Sequence, residues 1–215
     1  MRENLKLSVV AAPAIEPVTR AEVKSHTRID GAEDDTSIDL YIETARIACE
    51  QYTGRALITR TYGLFLDHWP ASGGAKWWDG QRQGALGTAL GGEGRELRLP
   101  YGPVQSVAHI KSYSDADVAA VLSSDNYYVD TVSFPGRVVL RNGVAAPIGL
   151  RTANAYEIQY DAGYGDTAAD VPLKLRLGIM QYAAQLYENR GDEMAALRQT
   201  NAHSLWQEYA SLEIV

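Results

Sequence analysis

The chain has 215 residues, 46% hydrophobic and 22% charged, with a net charge of −7. That length allows one large domain or two small ones around a real core. The acidic balance leaves no global basic footprint for gripping nucleic-acid phosphates. A single cysteine, Cys49, excludes an internal disulfide and a cysteine-rich zinc site, and it reads as a small buried hydrophobe. No stretch approaches the roughly 20 apolar residues of a membrane span. The N-terminal run LKLSVVAAPA is too short and proline-broken for a signal peptide. The expectation is a soluble intracellular product with no membrane partner.

In chain order, Thr19-x-x-Glu22 is a capping box and predicts a short helix over 20–27. The acidic turn DGAEDD follows, and Asp34, Asp35 or Thr36 can cap the next helix. Ile38, Tyr41, Ile42, Ala45, Cys49 and Tyr52 then recur at helical steps up to Gly54, which stands where a left-handed C-cap belongs. From Leu57 the period shortens, and Ile58, Tyr62, Leu64 and Leu66 predict a strand. Residues 71–94 are glycine-dense without a period and read as a flexible loop. Trp77 and Trp78 lie in it, either exposed as contacts to a neighbouring subunit or tail-side partner, or with one buried where the loop folds back. ELRLP, VQSVAHIKSYS, NYYVDTV, GRVVLRNG and AYEIQYDAGYGD predict antiparallel strands.

Beyond them VPLKLRLGIMQYAAQLYENRG returns to helix, with Asp170 as its expected cap and Pro172 in its first turn. Its apolar positions run nearly all the way round, so it is expected to be buried in the chain or covered by neighbouring subunits. A weaker helical stretch, NAHSLWQEYASL, precedes the terminal EIV. Leu205, Trp206, Tyr209 and Leu212 follow helical spacing there. With Ile214 and Val215 they form an apolar stripe able to lie in a groove of another protein, Trp206 being the best anchor. The competing reading packs this stripe back on the chain's own helices.

The order predicts an α+β fold. It is a helical bundle of two N-terminal helices (18–54) and a long C-terminal helix (170–190), with an antiparallel β-sheet inserted over 57–165 and a helical tail over 191–215. The whole is taken as a single domain, 1–215. Catalytic groups are not found. His26, His68, His109 and His203 stand apart without metal-ligand spacing, and no nucleophile elbow is present. GALGTALGGEG lacks the ending of a phosphate loop. No enzyme activity, metal or cofactor is expected.

Three segments in combination carry a resemblance: YTGRALITRT, LPYGPVQSV (Leu99 to Val107) and AGYGD followed by VP. With them the chain from about Val18 to Arg190 resembles the head–tail connector (adaptor, head-completion) proteins of long-tailed phages, prophages and phage-derived gene transfer agents. The resemblance implies a virion protein at the head–tail interface, formed in the host cytoplasm as a ring of about twelve copies. Its partners would be the portal above, reached by the C-terminal part, and a tail-ward stopper or head-completion protein below, with DNA passing through the lumen without sequence-specific binding. The lumen is then expected to be acidic or neutral, with DGAEDD and DAGYGD as candidate acidic edges. The alternatives are a free-standing protein-binding module or a small phage-encoded hydrolase or nuclease.

Overall fold

A computed structural model describes residues 6–70, 95–190 and 201–210. Two compact units share the chain. A β unit takes the N-terminal strand and Arg60–Ala162; a helical unit takes Pro13–Thr59 and the chain from Gly163 onward.

The helical unit contains α1 (Arg20–Thr27), α2 (Asp35–Thr53), α3 (Leu173–Glu188) and the short α4 (Ala202–Gln207). α1 starts on the expected capping box: the Thr19 amide and hydroxyl both donate to Glu22, and the Glu22 amide donates back to the Thr19 hydroxyl. α2 ends at Gly54, whose φ of 66° places it in the left-handed region that glycine adopts without penalty. The start of α2 differs from expectation. Asp34 stands at the cap position, yet its side chain makes no capping bond; it accepts instead from the Tyr187 hydroxyl at 2.7 Å and from Arg190 at 2.8 Å.

The start of α3 is a second correction. Asp170 does not cap it but closes a capping box with Thr167 around the 3-10 turn Ala168–Asp170, and Pro172 holds the cap position of α3. The sequence TAAD has capping-box spacing of its own, which takes the carboxylate before α3 begins.

α1, α2 and α4 all pack on α3. Val23, Ile38, Ile42, Leu175, Ile179 and Tyr182 are among the buried members of this core. Most of the apolar girth of α3 is therefore covered inside its own unit, while Leu173 in its first turn stays 75% exposed.

The β unit contains β1 (Leu7–Ala11), β2 (Arg60–Leu66), β3 (Glu96–Arg98), β4 (Val104–Tyr113), β5 (Ala119–Val121), β6 (Tyr127–Asp130), β7 (Arg137–Leu140) and β8 (Tyr156–Ala162). They form a five-stranded sheet in the order β1-β2-β8-β4-β5 and a three-stranded sheet in the order β3-β7-β6. Every pairing of named strands is antiparallel. The fold is thus α+β, as the element order predicts. On the buried side of the larger sheet Tyr62 stacks between Tyr101 and Tyr160, each ring 5.5 Å away, and the Tyr160 hydroxyl donates to Pro100 O at 2.6 Å.

β1 and β5 are the strands that patterning did not reveal. Four of the five residues of β1 and all three of β5 are exposed, so neither shows the buried-exposed alternation of a half-covered strand.

The chain passes between the units after Ala12, after Thr59 and after Ala162. Arg60 opens β2 opposite Ala162, the last residue of β8. On the helical side the Thr59 amide donates to Gly165 O at 3.0 Å, and Gly163 (φ +148°) passes so near that a Cβ there would lie 2.5 Å from Thr59 N. Only glycine fits that approach, which gives the first glycine of AGYGD a physical role.

Candidate assembly surfaces

Proteins that assemble act through what they expose. One face of the five-stranded sheet is polar. Thr61 and Ser106 both donate to Asp161, at 2.7 and 3.0 Å. Glu157 accepts from the Tyr113 hydroxyl and lies 3.3 Å from His109 Nε2 and 3.7 Å from Lys111 Nζ. The Tyr113 bond, with smaller help from His109 and Lys111, holds the Glu157 carboxyl below its ordinary range. Arg151 lies 4.1 Å from the centroid of the Tyr113 ring. This face is a self-satisfied polar lattice.

In the five-stranded sheet the exposed aliphatic side chains are at the edges. Val9 and Val10 lie on β1, Val121 ends β5 and Val118 immediately precedes it. Val132 and Ile148, on loops of the same unit, are almost fully exposed at 95% and 92%. On α2, Leu40 and Ile47 sit two turns apart outside the buried stripe. These positions escaped sequence reasoning, since a lone exposed aliphatic leaves no periodic trace.

Two of the four acids of DGAEDD, Asp34 and Asp35, are engaged inside the helical unit. Asp35 accepts from Lys24 at 2.7 Å and from Arg20 at 2.8 Å, while Asp39 accepts from Arg20 Nε at 2.8 Å. Asp34 joins α2 to Tyr187 and Arg190 as described above. The hydrogen bond from Tyr187, then that from Arg190, keeps the Asp34 carboxyl below its ordinary range; Lys24 and then Arg20 do the same for Asp35. The turn ties three helices together, and Asp30 and Glu33 are its exposed carboxylates. Of DAGYGD, Asp161 is taken by Thr61 and Ser106 and Asp166 is exposed. The described helical unit carries thirteen acidic against eight basic side chains, and the described β unit eight of each.

A pH dependence follows. The folded values of Asp34, Asp35 and Asp170 are depressed, so their contribution is present above the unfolded carboxyl value near 4 and is lost as pH falls through the folded values. The melting temperature should be flat around neutrality and drop progressively below about pH 4.5. Asp34→Asn should flatten part of that acid limb; an unchanged limb would sink the assignment.

Among the predicted contact residues, Trp206 requires correction. It is fully buried within the helical unit, with its indole N–H directed at Leu175 O (3.4 Å) and its ring edge-on to Tyr182. Leu205 and Tyr209 are half-buried against the same core, and Arg55 donates to Tyr209 O at 2.8 Å. Leu205 and Trp206 lie on α4 and Tyr209 in the turn after it, and this described part of the stripe packs on its own chain. Leu212, Ile214 and Val215 lie outside the described residues, as do Trp77, Trp78 and the whole 71–94 segment. Among the described residues no group of three or more His, Cys, Asp or Glu side chains could hold a metal ion.

Residues 19–76 match the family model of phage gp6-like head-tail connector proteins. The matched stretch spans α1, α2, the Gly54 cap and β2, the joint that carries YTGRALITRT. Similarity in fold extends over nearly the whole chain. A chain in the neck of an empty GTA particle, computed with C6 symmetry, aligns with a TM-score of 0.72 at 21% identity, covering 96% of this chain and 95% of that one. Chains of a native gene transfer agent virion, and of the native GTA neck computed with C12 symmetry, each align at TM-score 0.71 and 22% identity with the same coverage. No curated protein sequence matches.

Proposed function

We propose that the chain is a structural head–tail connector of a phage or gene transfer particle. Copies of it form a ring, of twelve subunits, under the portal. The ring extends the channel through which DNA leaves the head and offers a platform to the next tail-ward protein. The observation that carries this reading is the likeness of 96% of the chain to neck subunits, in one case in a neck computed with C12 symmetry. The connector-family match over 19–76 supports it from the sequence side. The work is mechanical and requires no catalytic residue or cofactor. DNA passes without sequence-specific contacts, along a lumen whose surface is acidic or neutral. In this reading Leu212, Ile214 and Val215, with the exposed parts of Leu205 and Tyr209, make the portal contact. Trp206 supports them from within the core. Trp77 and Trp78 contact a neighbouring subunit or the tail-side partner.

Fractionation tests it. Particles purified from producing cells should contain the chain at the head–tail junction, visible in a reconstruction as a closed ring, and cells lacking it should accumulate heads without tails. Tailed particles that lack the chain would overturn the reading, as would an isologous two-fold dimer at the junction.

A further inference from the structure

We propose that the two edges of the five-stranded sheet are the complementary halves of a subunit-to-subunit contact: β5 of one copy pairs in parallel with β1 of the next. This rests on the ring reading above and specifies how the ring closes.

Edge strands present unpaired backbone donors and acceptors, and proteins usually blunt them with charges, prolines or covering segments. β1 holds Leu-Ser-Val-Val-Ala and β5 Ala-Ala-Val, with no charge or proline in either. Among the described residues the one blunting device is an irregularity in β1 between Val9 and Ala11. Exposed valines stand at both edges, whereas the outward side chains of the strands between them are the polar lattice of Asp161, Glu157, His109 and Lys111. The apolar exposure of this sheet is therefore at its two rims.

Direction selects the partner. Four antiparallel pairings separate β1 from β5, so both edges run the same way. A small rotation about a ring axis carries one copy's β5 beside the next copy's β1 with directions preserved, giving a parallel ladder. A two-fold axis would instead set β1 against β1 or β5 against β5. Parallel alignment also brings the strand starts together. Lys6 immediately precedes β1, and the exposed Asp115 and Asp117 precede β5. Lys6 already meets Asp67 at 2.6 Å and Asp117 meets Arg151 at 3.0 Å, so these charges set register and direction more than strength. The ladder is short because β5 has three residues. A single contact is weak, and closure of the ring makes it persistent.

The test uses the full-length protein. A Val9→Cys chain is mixed in equal amounts with an Ala120→Cys chain and treated at high concentration with a short bismaleimide. Cys49 is buried and its thiol is pushed far above its ordinary range by that burial, so it stays out of the reaction. The ratio of mixed to either self-linked product should exceed the random two-to-one by several-fold, and a chain carrying both substitutions should give a ladder of oligomers. Random proportions overturn the proposal, and so does a dominant self-linked Val9→Cys product. Should either variant fail to fold, Val10→Cys with Val121→Cys replaces the pair and is judged by the same proportions. Fractionation separates the two readings: a chain present in particles with random cross-linking removes the edge pairing alone, whereas absence from particles removes the ring.

Discussion

Trp206→Ala is expected to cost about 3–5 kcal/mol of stability in the helical unit, as large aromatic-to-alanine truncations in cores do. Roughly 10 °C of melting temperature would go with it in a chain of this size. The indole is fully buried in this core: it lies edge-on to Tyr182 at 6.2 Å, with His203 at 5.7 Å and Tyr52 at 6.1 Å around it. It also explains Gly178. A Cβ at that position would lie 2.2 Å from Trp206 Nε1, so α3 carries a glycine despite the roughly 1 kcal/mol this costs a helix relative to alanine. Gly178→Ala should push the indole out and destabilise through the same contact. Denaturant unfolding monitored by tryptophan fluorescence measures both. Trp206→Ala with unchanged stability but lost incorporation into particles would return Trp206 to the docking role its spacing first suggested.

The second large effect is expected at Arg46. Its guanidinium is 5% exposed and bonds Glu16 at 2.7 Å and Glu50 at 3.1 Å, with Glu43 at 3.6 Å. The Glu16 bond ties the segment before α1 to the middle of α2. Glu50, 4% exposed, also accepts from the Leu57 amide at 3.4 Å, just where the chain leaves α2 for the strand. Arg46→Ala removes the cation while the Glu50 carboxylate stays buried, an arrangement that costs about 3–5 kcal/mol. Replacing both charges, as Arg46→Met with Glu50→Leu, should recover most of the loss, because two well-packed apolar side chains need no desolvation. A single substitution as mild as the double one would show that water reaches the pair.

Much of the helical unit was legible because its determinants are local. The Thr19-x-x-Glu22 box and Gly54 each act within one turn, and the structure has both in place. Competition between local options was harder to see. Asp170 could serve α3 or the turn closed by Thr167, and the nearer partner won. The Trp206 stripe shows a different limit: helical spacing states that a face is apolar, but not which surface covers it. At β1, exposure on both sides of the strand erased the alternation that strand recognition depends on. The rims where this sheet ends were for that reason the least legible part of the candidate contact surface.

The glycine at 163 has a consequence for how such chains vary. It lets the backbone return beside Thr59, one residue after Ala162 has closed opposite Arg60. The segment from 60 to 162 thus leaves and rejoins the chain of the helical unit at neighbouring backbone positions, while β1 reaches its sheet separately from the N-terminal side. Closure entropy changes only slowly with the length of chain that a stem spans. A β segment of quite different size can be exchanged between the same two residues while the core around Trp206 and Arg46 keeps its own contacts.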